Sequence, residues 1–512
     1  MFTSYLSRTM VSGLFLFILV SVAAALDSFS HYRNIPLNSS ITSVQPMTGI
    51  VLWTDNHKNK TDAISLEYSY MLYNSVVKEK GVYDWSSLDA LLEKVASRKH
   101  QAVLRFRFVY PGYKTSVPDY IKSLDDYNET EGESEGKATW FPDWTHEELQ
   151  SFTIEFYAEL AKRYDKDPRI AFIQTGFGLW AEYHIYDGPF TLGKTFPSKQ
   201  FQAEFFKHLD TVFVSTPWSI SIDAADEEYS PFKQQSDLKS IRFGLFDDSF
   251  MCESHSGYNS SCWNFFDSKR YLQSPAGGEF SYYTDYDQKH VLDPQGIHGV
   301  SWEDACKAFH ISYMIGNDQV DYQTIERIKE AGMVAGYKFR INRFLISDDS
   351  ALVEVQNIGV APIYYDAYVA VGGIRAHESL KLLEPDSSML CNFAINQGSL
   401  DLTIECDHLV PGQQIEYEAD LKGTSIIRNI IFTQKLQKFP FSGKLSLFLP
   451  DGRVVYSRNV RSCKNEIFSI LHQIRRETLA EGIMFYRFES SDYCHHGRVL
   501  LTENNLRGRG HH

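Results

Sequence analysis

The sequence predicts an α/β fold: a (β/α)8 TIM barrel followed by a C-terminal β-sandwich domain. Three observations lead there. From about residue 45 to 335, short β-rich runs alternate with amphipathic helices, over roughly the ~250 residues such a barrel uses. After Gly336, strand-like runs dominate, parted by Gly, Pro and Asp-Gly turns such as Asp451-Gly452. No glycine-rich turn opens a helix, which argues against a dinucleotide-binding doubly wound sheet. The 512 residues exceed one ordinary domain. The expected division is a signal peptide over 1–25, a barrel expected to carry catalysis over 26–335, and a sandwich over 336–512.

Taken in order, the chain opens with Arg8, an uncharged apolar run from Val11 to Val22, and Ala23-Ala24-Ala25. A basic start, a short apolar stretch and small exit residues describe a secretory signal peptide. The run is short of the ~20 residues that span a bilayer, so a retained membrane anchor is the lesser reading. A secreted, extracellular protein is expected. Four Asn-x-Ser/Thr sequons, at Asn38, Asn59, Asn128 and Asn259, point to a glycoprotein. The seven cysteines lack metal-ligand spacing, so no zinc site is expected. Sequence proximity suggests disulfides Cys252–Cys262, Cys391–Cys406 and Cys463–Cys494, with Cys306 left over, although spacing alone leaves other connectivities open.

Gly49–Thr54 reads as the first strand and Ala63–Tyr70 as the second. Leu88, Leu91, Leu92 and Val95 fall at helical spacing, with Ser86 or Ser87 able to cap. Ala102–Phe106 is the third strand, and the acidic stretch 125–137 a solvated loop. Thr145 and Glu148 have capping-box spacing for a helix to Tyr164. Strands then recur at Ile170–Gln174, Ser219–Ile222, Ile241–Phe246 and Gly277–Phe280. Helices follow at Pro197–Val212, Trp302–Ala308 and Tyr322–Ala335. Beyond Gly336, strands are expected at 351–355, 363–371, 400–404, 415–417, 426–432, 445–449 and 454–456, with one helix over 465–479.

The charge of −15, with 65 acidic against 50 basic residues, repels phosphate backbones, and no basic cluster overrides it. Nucleic acid is an unexpected partner; the basic 507–512 end reads as a tail. Aromatic residues make up 14% of the chain, enough to fill a core and still present faces to a sugar ring.

In a parallel barrel, reactive groups sit just past the C-terminal strand ends. Glu182 follows the glycine-containing run Ile173–Ala181, with Trp180 as a sugar platform. Glu279 follows Ala276-Gly277-Gly278. They count to strands four and seven, and glycosidic cleavage needs two carboxyl groups on opposite sides of the bond. Arg105, at the end of strand three, is placed to hold a glutamate ionised; a structural salt bridge is its everyday role. Trp53, Asp55, Glu67, Tyr70, Asp247 and Asp248 also lie on or after strands and are candidates for hydroxyl contacts. His184 is a candidate for tuning Glu182 or touching substrate, with a satisfied structural histidine as the alternative. His495-His496 reads as a loop feature.

Gly178-Leu179-Trp180-Ala181-Glu182-Tyr183-His184 resembles the Gly-x-Trp-Gly-Glu-Trp-His signature of a family of secreted barrel proteins grouped as a domain of unknown function. Tyr83–Asp89, Val103–Phe106, Gly277–Glu279 and Asn357–Tyr365 are similar to that family too. The family is in turn similar to retaining barrel glycosidases. This resemblance implies Glu182 as the acid/base and Glu279 as the nucleophile. Ala181 stands where those enzymes carry Asn and this family carries Gly, and Tyr183 where the family has Trp; the contact to the sugar 2-hydroxyl is then unassigned.

The expected function is hydrolysis of glycosidic bonds by a two-glutamate, retaining mechanism on a carbohydrate substrate, with no cofactor. A non-catalytic carbohydrate-binding or cell-surface barrel is the first alternative. A partner-binding ectodomain in which the sandwich does the work is the second.

Overall fold

A computed structural model describes residues 32–396 and 398–421, and the strands 443–448, 454–460, 482–489 and 494–501. The expected signal peptide, the 426–432 strand and the 465–479 helix lie outside the described residues. Residues 426–512 form a compact unit separate from the one ending at Ser425. In it, Gly443–Phe448, Val454–Val460, Gly482–Glu489 and Cys494–Leu501 make one antiparallel sheet.

The first unit holds a closed barrel of eight parallel strands. They are β1 (Gly49–Trp53), β2 (Leu66–Leu72), β3 (Gln101–Arg107), β4 (Ile170–Thr175), β5 (Trp218–Ser221), β6 (Gly244–Phe250), β7 (Ala276–Phe280) and β8 (Tyr313–Ile315). β8 pairs with β1 through Tyr313, Met314 and Ile315 and closes the ring. The helices Ser86–Ala96, Glu147–Tyr164, Lys199–Val212, Trp302–Ala308 and Ile325–Val334 follow the expected pattern.

Alternation along the strands divides the core in two. Ile50, Leu52, Ala102, Leu104, Phe106 and Ile173 pack outward against the helices. Val51, Leu66, Tyr68, Val103 and Phe172 fill the barrel interior and join the core of the following sheets. Those sheets, built mainly from residues 339–421, share a single apolar cluster. Arg33–Asn34 and Leu37–Ser39 pair into the larger of them. They abut the N-terminal end of the barrel: Tyr365 donates to the Ala171 carbonyl at 2.7 Å, and His408 Nε2 meets the Ile170 carbonyl at 2.8 Å. The C-terminal mouth lies at the other end of the strands.

Local departures from expectation have identifiable causes. Residues 125–137 do not stay a loop; Thr130–Ser134 pairs with Lys137–Phe141. The turn residues Glu135 and Gly136 both have positive φ, the requirement of a tight two-residue hairpin turn. The helix at Glu147 is capped by His146, which accepts from the Glu148 N–H, while Thr145 Oγ1 donates to Asp143 instead.

The expected bridges Cys252–Cys262 and Cys391–Cys406 are not formed: all four residues are buried free thiols, as is Cys306. Cys252 lies beside the Ser254 hydroxyl at 3.2 Å. Cys391 and Cys406 sit on strands of different sheets. Nearness in sequence does not bring two Cβ atoms to bridging geometry. Cys463 lies outside the described residues. Of the four sequons, Asn38 and Asn128 are exposed, but Asn59 and Asn259 are buried. The Asn59 amide donates to the Thr54 carbonyl, and the Asn259 amide to Asp247. Those two nitrogens are committed inside the fold, which corrects their expected role as glycan acceptors. Among the described residues, no helix is long and apolar enough to cross a membrane.

Candidate active site

Glu182 is carried by a loop that doubles back directly after β4. Phe177 and Gly178 N–H groups both donate to the Glu182 carbonyl. The fold-back is so tight that a Cβ at Gly176 would lie 2.1 Å from the Ala181 oxygen, and one at Gly178 2.0 Å from the His184 oxygen. Glycine is required at both places. Trp180 and Ala181 adopt φ of 53° and 58°, a region costly to residues with a Cβ. This explains why glycine suits the position of Ala181. Ala181→Gly is expected to raise stability by up to ~1 kcal/mol; chemical denaturation measures it.

Glu279 shares strand parity with Gly277, whose added Cβ would strike the Tyr313 ring at 2.4 Å. Both point inward. Asp248 and Phe246 share parity on β6, as do Arg105 and Val103 on β3. Arg105 Nη1 donates to Asp248 at 2.6 Å, its Nε to Gln174 at 2.8 Å, and its guanidinium lies 4.1 Å from the Phe246 ring centre. The expected direct grip of Arg105 on a glutamate is therefore replaced by a grip on Asp248, the nearer inward carboxylate. Asp248 Oδ1 is buried and accepts no hydrogen bond from the protein.

The two glutamates share this neighbourhood. Burial pushes Glu182 well above the usual carboxylate range and Asp248 adds to the effect, while His184 and Arg105 oppose it. Glu279 is raised for the same first two reasons, with Arg105 and the Trp53 indole opposing. The Tyr70 phenol, raised by burial, feels the charges of Arg105, Asp248, Glu279 and Glu182 together. Its hydroxyl donates to the Trp180 carbonyl at 3.3 Å, as does Arg105. Glu182, Glu279, Asp248, Arg105, Trp53 and Trp180 are thus gathered at one mouth.

His184 lies between two carboxylates: its Nε2 is 3.2 Å from Glu182, and its Nδ1 is 3.4 Å from Asp223. Burial disfavours its charge, but Asp223 and Glu182 prevail and lift it to about 9. Asp223, despite burial, is held below its usual range by His184, Ser221 and Tyr258. The three side chains offer donors close enough for a metal ion. Glu182 lies nearest one ring nitrogen and Asp223 nearest the other, with the three donors within 4.8 Å of one another, so a protonated imidazole sits against both carboxylates. That geometry fits an imidazolium clamp.

Asp223 went unnoticed in sequence because it sits in a single 3-10 turn after β5, where the Ser221 side chain caps the Asp223 N–H. It directly follows the expected strand Ser219–Ile222, so the strand-end rule that singles out the other acids reaches it as well. Other candidates lie elsewhere. Glu67 has the opposite parity to Tyr68 and Tyr70 and faces outward, bound by Arg98 Nε at 2.7 Å and His100 at 2.7 Å. Asp247 is raised to about 7 by burial and is enclosed by Asn259 and Trp263. Asp55 is exposed after β1.

A closed parallel barrel, plugged at its N-terminal end by β-sheets and bearing an acidic, aromatic C-terminal mouth, is the class this fold defines. No family model matches the chain, and no curated protein does. Similar solved structures include the xylanase XynB from Paenibacillus barcinonensis complexed with a conduramine derivative, at 11% identity and TM-score 0.35, covering 56% of this chain and 90% of that one. CbXyn10B in native form is similar at 11% identity and TM-score 0.33, covering 52% and 83%. The GH36 alpha-galactosidase AgaA from Geobacillus stearothermophilus is similar at 12% identity and TM-score 0.30, covering 68% and 55%. The chain spans about half the length of that galactosidase.

Proposed function

We propose that this protein is a secreted glycoside hydrolase acting with retention, in which Glu182 is the acid/base and Glu279 the nucleophile. The observation that carries the reading is the joint position of the two glutamates, after β4 and on β7, around Asp248 and Arg105. The resemblance of the Gly178–His184 segment to the barrel family of unknown function supports the same roles.

Burial keeps Glu182 protonated at rest, ready to give its proton to the leaving oxygen. Glu279, the less buried of the two, attacks the anomeric carbon as a carboxylate, with the Arg105 charge opposing the effect of its burial. As the sugar transfers to Glu279, Glu182 becomes a carboxylate, which the His184 imidazolium stabilises. Glu182 then takes a proton from the incoming water and the glycosyl bond to Glu279 breaks. Asp248 Oδ1, with no protein donor, is the acceptor for a sugar hydroxyl next to the reacting carbon, a task that Ala181 cannot perform. Because both glutamates are raised, the acid limb of the activity profile should lie above the ordinary carboxylate range.

Purified protein assayed on a panel of aryl glycosides and polysaccharides tests the reading: release of product from at least one is expected, and none from any contradicts it. A barrel that binds glycans without turnover is the second reading, favoured by Ala181; binding without hydrolysis of any bound glycan would establish it.

The clamp has a consequence for stability. The folded pKa of His184, about 9, exceeds its ordinary 6.5. Its charge therefore stabilises the fold fully below about pH 6.5, and the benefit is lost as pH rises through about 9. Thermal unfolding of wild type should fall more steeply across that window than that of His184→Gln. Parallel curves would contradict the clamp.

A further inference from the structure

The mouth carries aromatic rings on two sides of its carboxylates. On one side they pass from strand to strand. Trp53 meets Tyr70 edge-on at 5.6 Å, Tyr70 meets Tyr110 at 5.9 Å, and Tyr110 meets Trp180 at 6.2 Å. Trp180 then stacks on Tyr186 at 5.8 Å, with planes 16° apart. On the other side, Tyr282 and Tyr283 follow β7, and Tyr283 sits edge-on to His255 at 4.2 Å. Tyr186 is 49% exposed and Tyr283 61%. The Tyr283 phenol feels the charges of Glu182 and Asp223, and that of Tyr282 feels Glu279 and Asp318. The charges of Glu182 and Glu279 thus reach rings of both groups.

Single exposed aromatics are ordinary, but a cluster around a polar centre marks a binding surface. A phenol or indole offers an apolar face with a polar edge, which matches a pyranose: C–H bonds on its faces, hydroxyls at its rim. Charge narrows the class further. The mouth holds Glu182, Glu279, Asp248, Asp223 and Asp318. Of its cations, Arg105 is held by Asp248 and His184 lies against Asp223, while Arg107 stands over the Tyr110 ring at 4.4 Å without a carboxylate partner among the described residues, so the acids outnumber the cations. A uronate or sulfate would meet net negative charge there.

We propose that this mouth binds several consecutive units of an uncharged polysaccharide, laid across the Trp180–Tyr186 pair and Tyr283. The proposal rests on the glycan-directed reading of the same site, and its test reads binding instead of turnover. Calorimetric titration of the full chain carrying Glu279→Gln would use cello-, xylo-, manno- and galacto-oligosaccharides from disaccharide to hexasaccharide. Oligogalacturonates of the same lengths complete the panel. At least one neutral series should tighten about tenfold or more with length, and the acidic series should not bind measurably. Adding Tyr283→Ala or Tyr186→Ala should weaken the hexasaccharide about tenfold and barely affect the disaccharide. Tyr283→Phe, which keeps the ring, should restore it, with the unfolding midpoints of the tyrosine variants equal to that of their Glu279→Gln parent. The proposal is overturned if the acidic series binds as tightly, if affinity is indifferent to length, if the alanine variants bind like their parent, or if no series binds. Length-dependent binding with no turnover by wild type would sink hydrolysis alone. Turnover of a short aryl glycoside alongside length-indifferent binding would sink this proposal alone.

Discussion

Replacing Glu279 by Gln should lower turnover by about four orders of magnitude or more while leaving the fold intact. The amide has nearly the shape of the carboxyl but cannot form the glycosyl ester, so the reaction loses its first covalent step. The same change should stabilise the protein at neutral pH. Burial and the Asp248 charge raise the folded pKa of Glu279 above its ordinary 4.5. Ionising it therefore costs stability, and that cost grows as pH rises from about 4.5 through the folded pKa. Thermal unfolding should show the variant gaining over wild type at pH 7 and little at pH 4. A variant that keeps its turnover refutes the nucleophile; one that is destabilised at neutral pH refutes the electrostatic account of the site.

Glu182→Gln should behave differently, and the contrast assigns the roles. Without a proton donor, cleavage of substrates with poor leaving groups should slow by about a hundred- to ten-thousandfold. Aryl glycosides whose leaving group needs no proton should still form the glycosyl–Glu279 intermediate at close to the normal rate. Its breakdown should then limit turnover, because water is no longer activated. A small anionic nucleophile such as azide, which needs no base, should restore the rate. Steady-state assays with leaving groups of graded acidity make the comparison. Equal losses on all leaving groups would mean that Glu182 positions the substrate without transferring a proton.

Much of this architecture was legible in the chain. The strand–helix alternation yields seven of the barrel strands and their order, because a strand buried on both faces must be apolar for several residues. β8 escaped notice since only Tyr313, Met314 and Ile315 pair, too short a run to stand out. Glu182 and Glu279 were legible because tight backbone approach demands glycine, and Gly176, Gly178, Gly277 and Gly278 advertise it. Their surroundings were not. Which carboxylate Arg105 grips depends on strand parity and on the stagger of β3 against β6. The clamp of His184 on Asp223 joins two loops that sequence keeps apart. Glu67, Asp247, Asn59 and Asn259 carry plausible functional residue types but are consumed by internal partners, and only packing reveals that. The Cys252–Cys262 and Cys391–Cys406 pairs fail for the same reason.

Covalent trapping tests the account most directly. Incubation with a panel of 2-deoxy-2-fluoro glycosides bearing good leaving groups should add the mass of one sugar to the protein. Proteolysis and mass spectrometry should place it on the peptide carrying Glu279, and Glu279→Gln should remain unlabelled. A sugar attached to any other residue, or hydrolysis that releases the inverted anomer, would contradict the two-glutamate retaining mechanism.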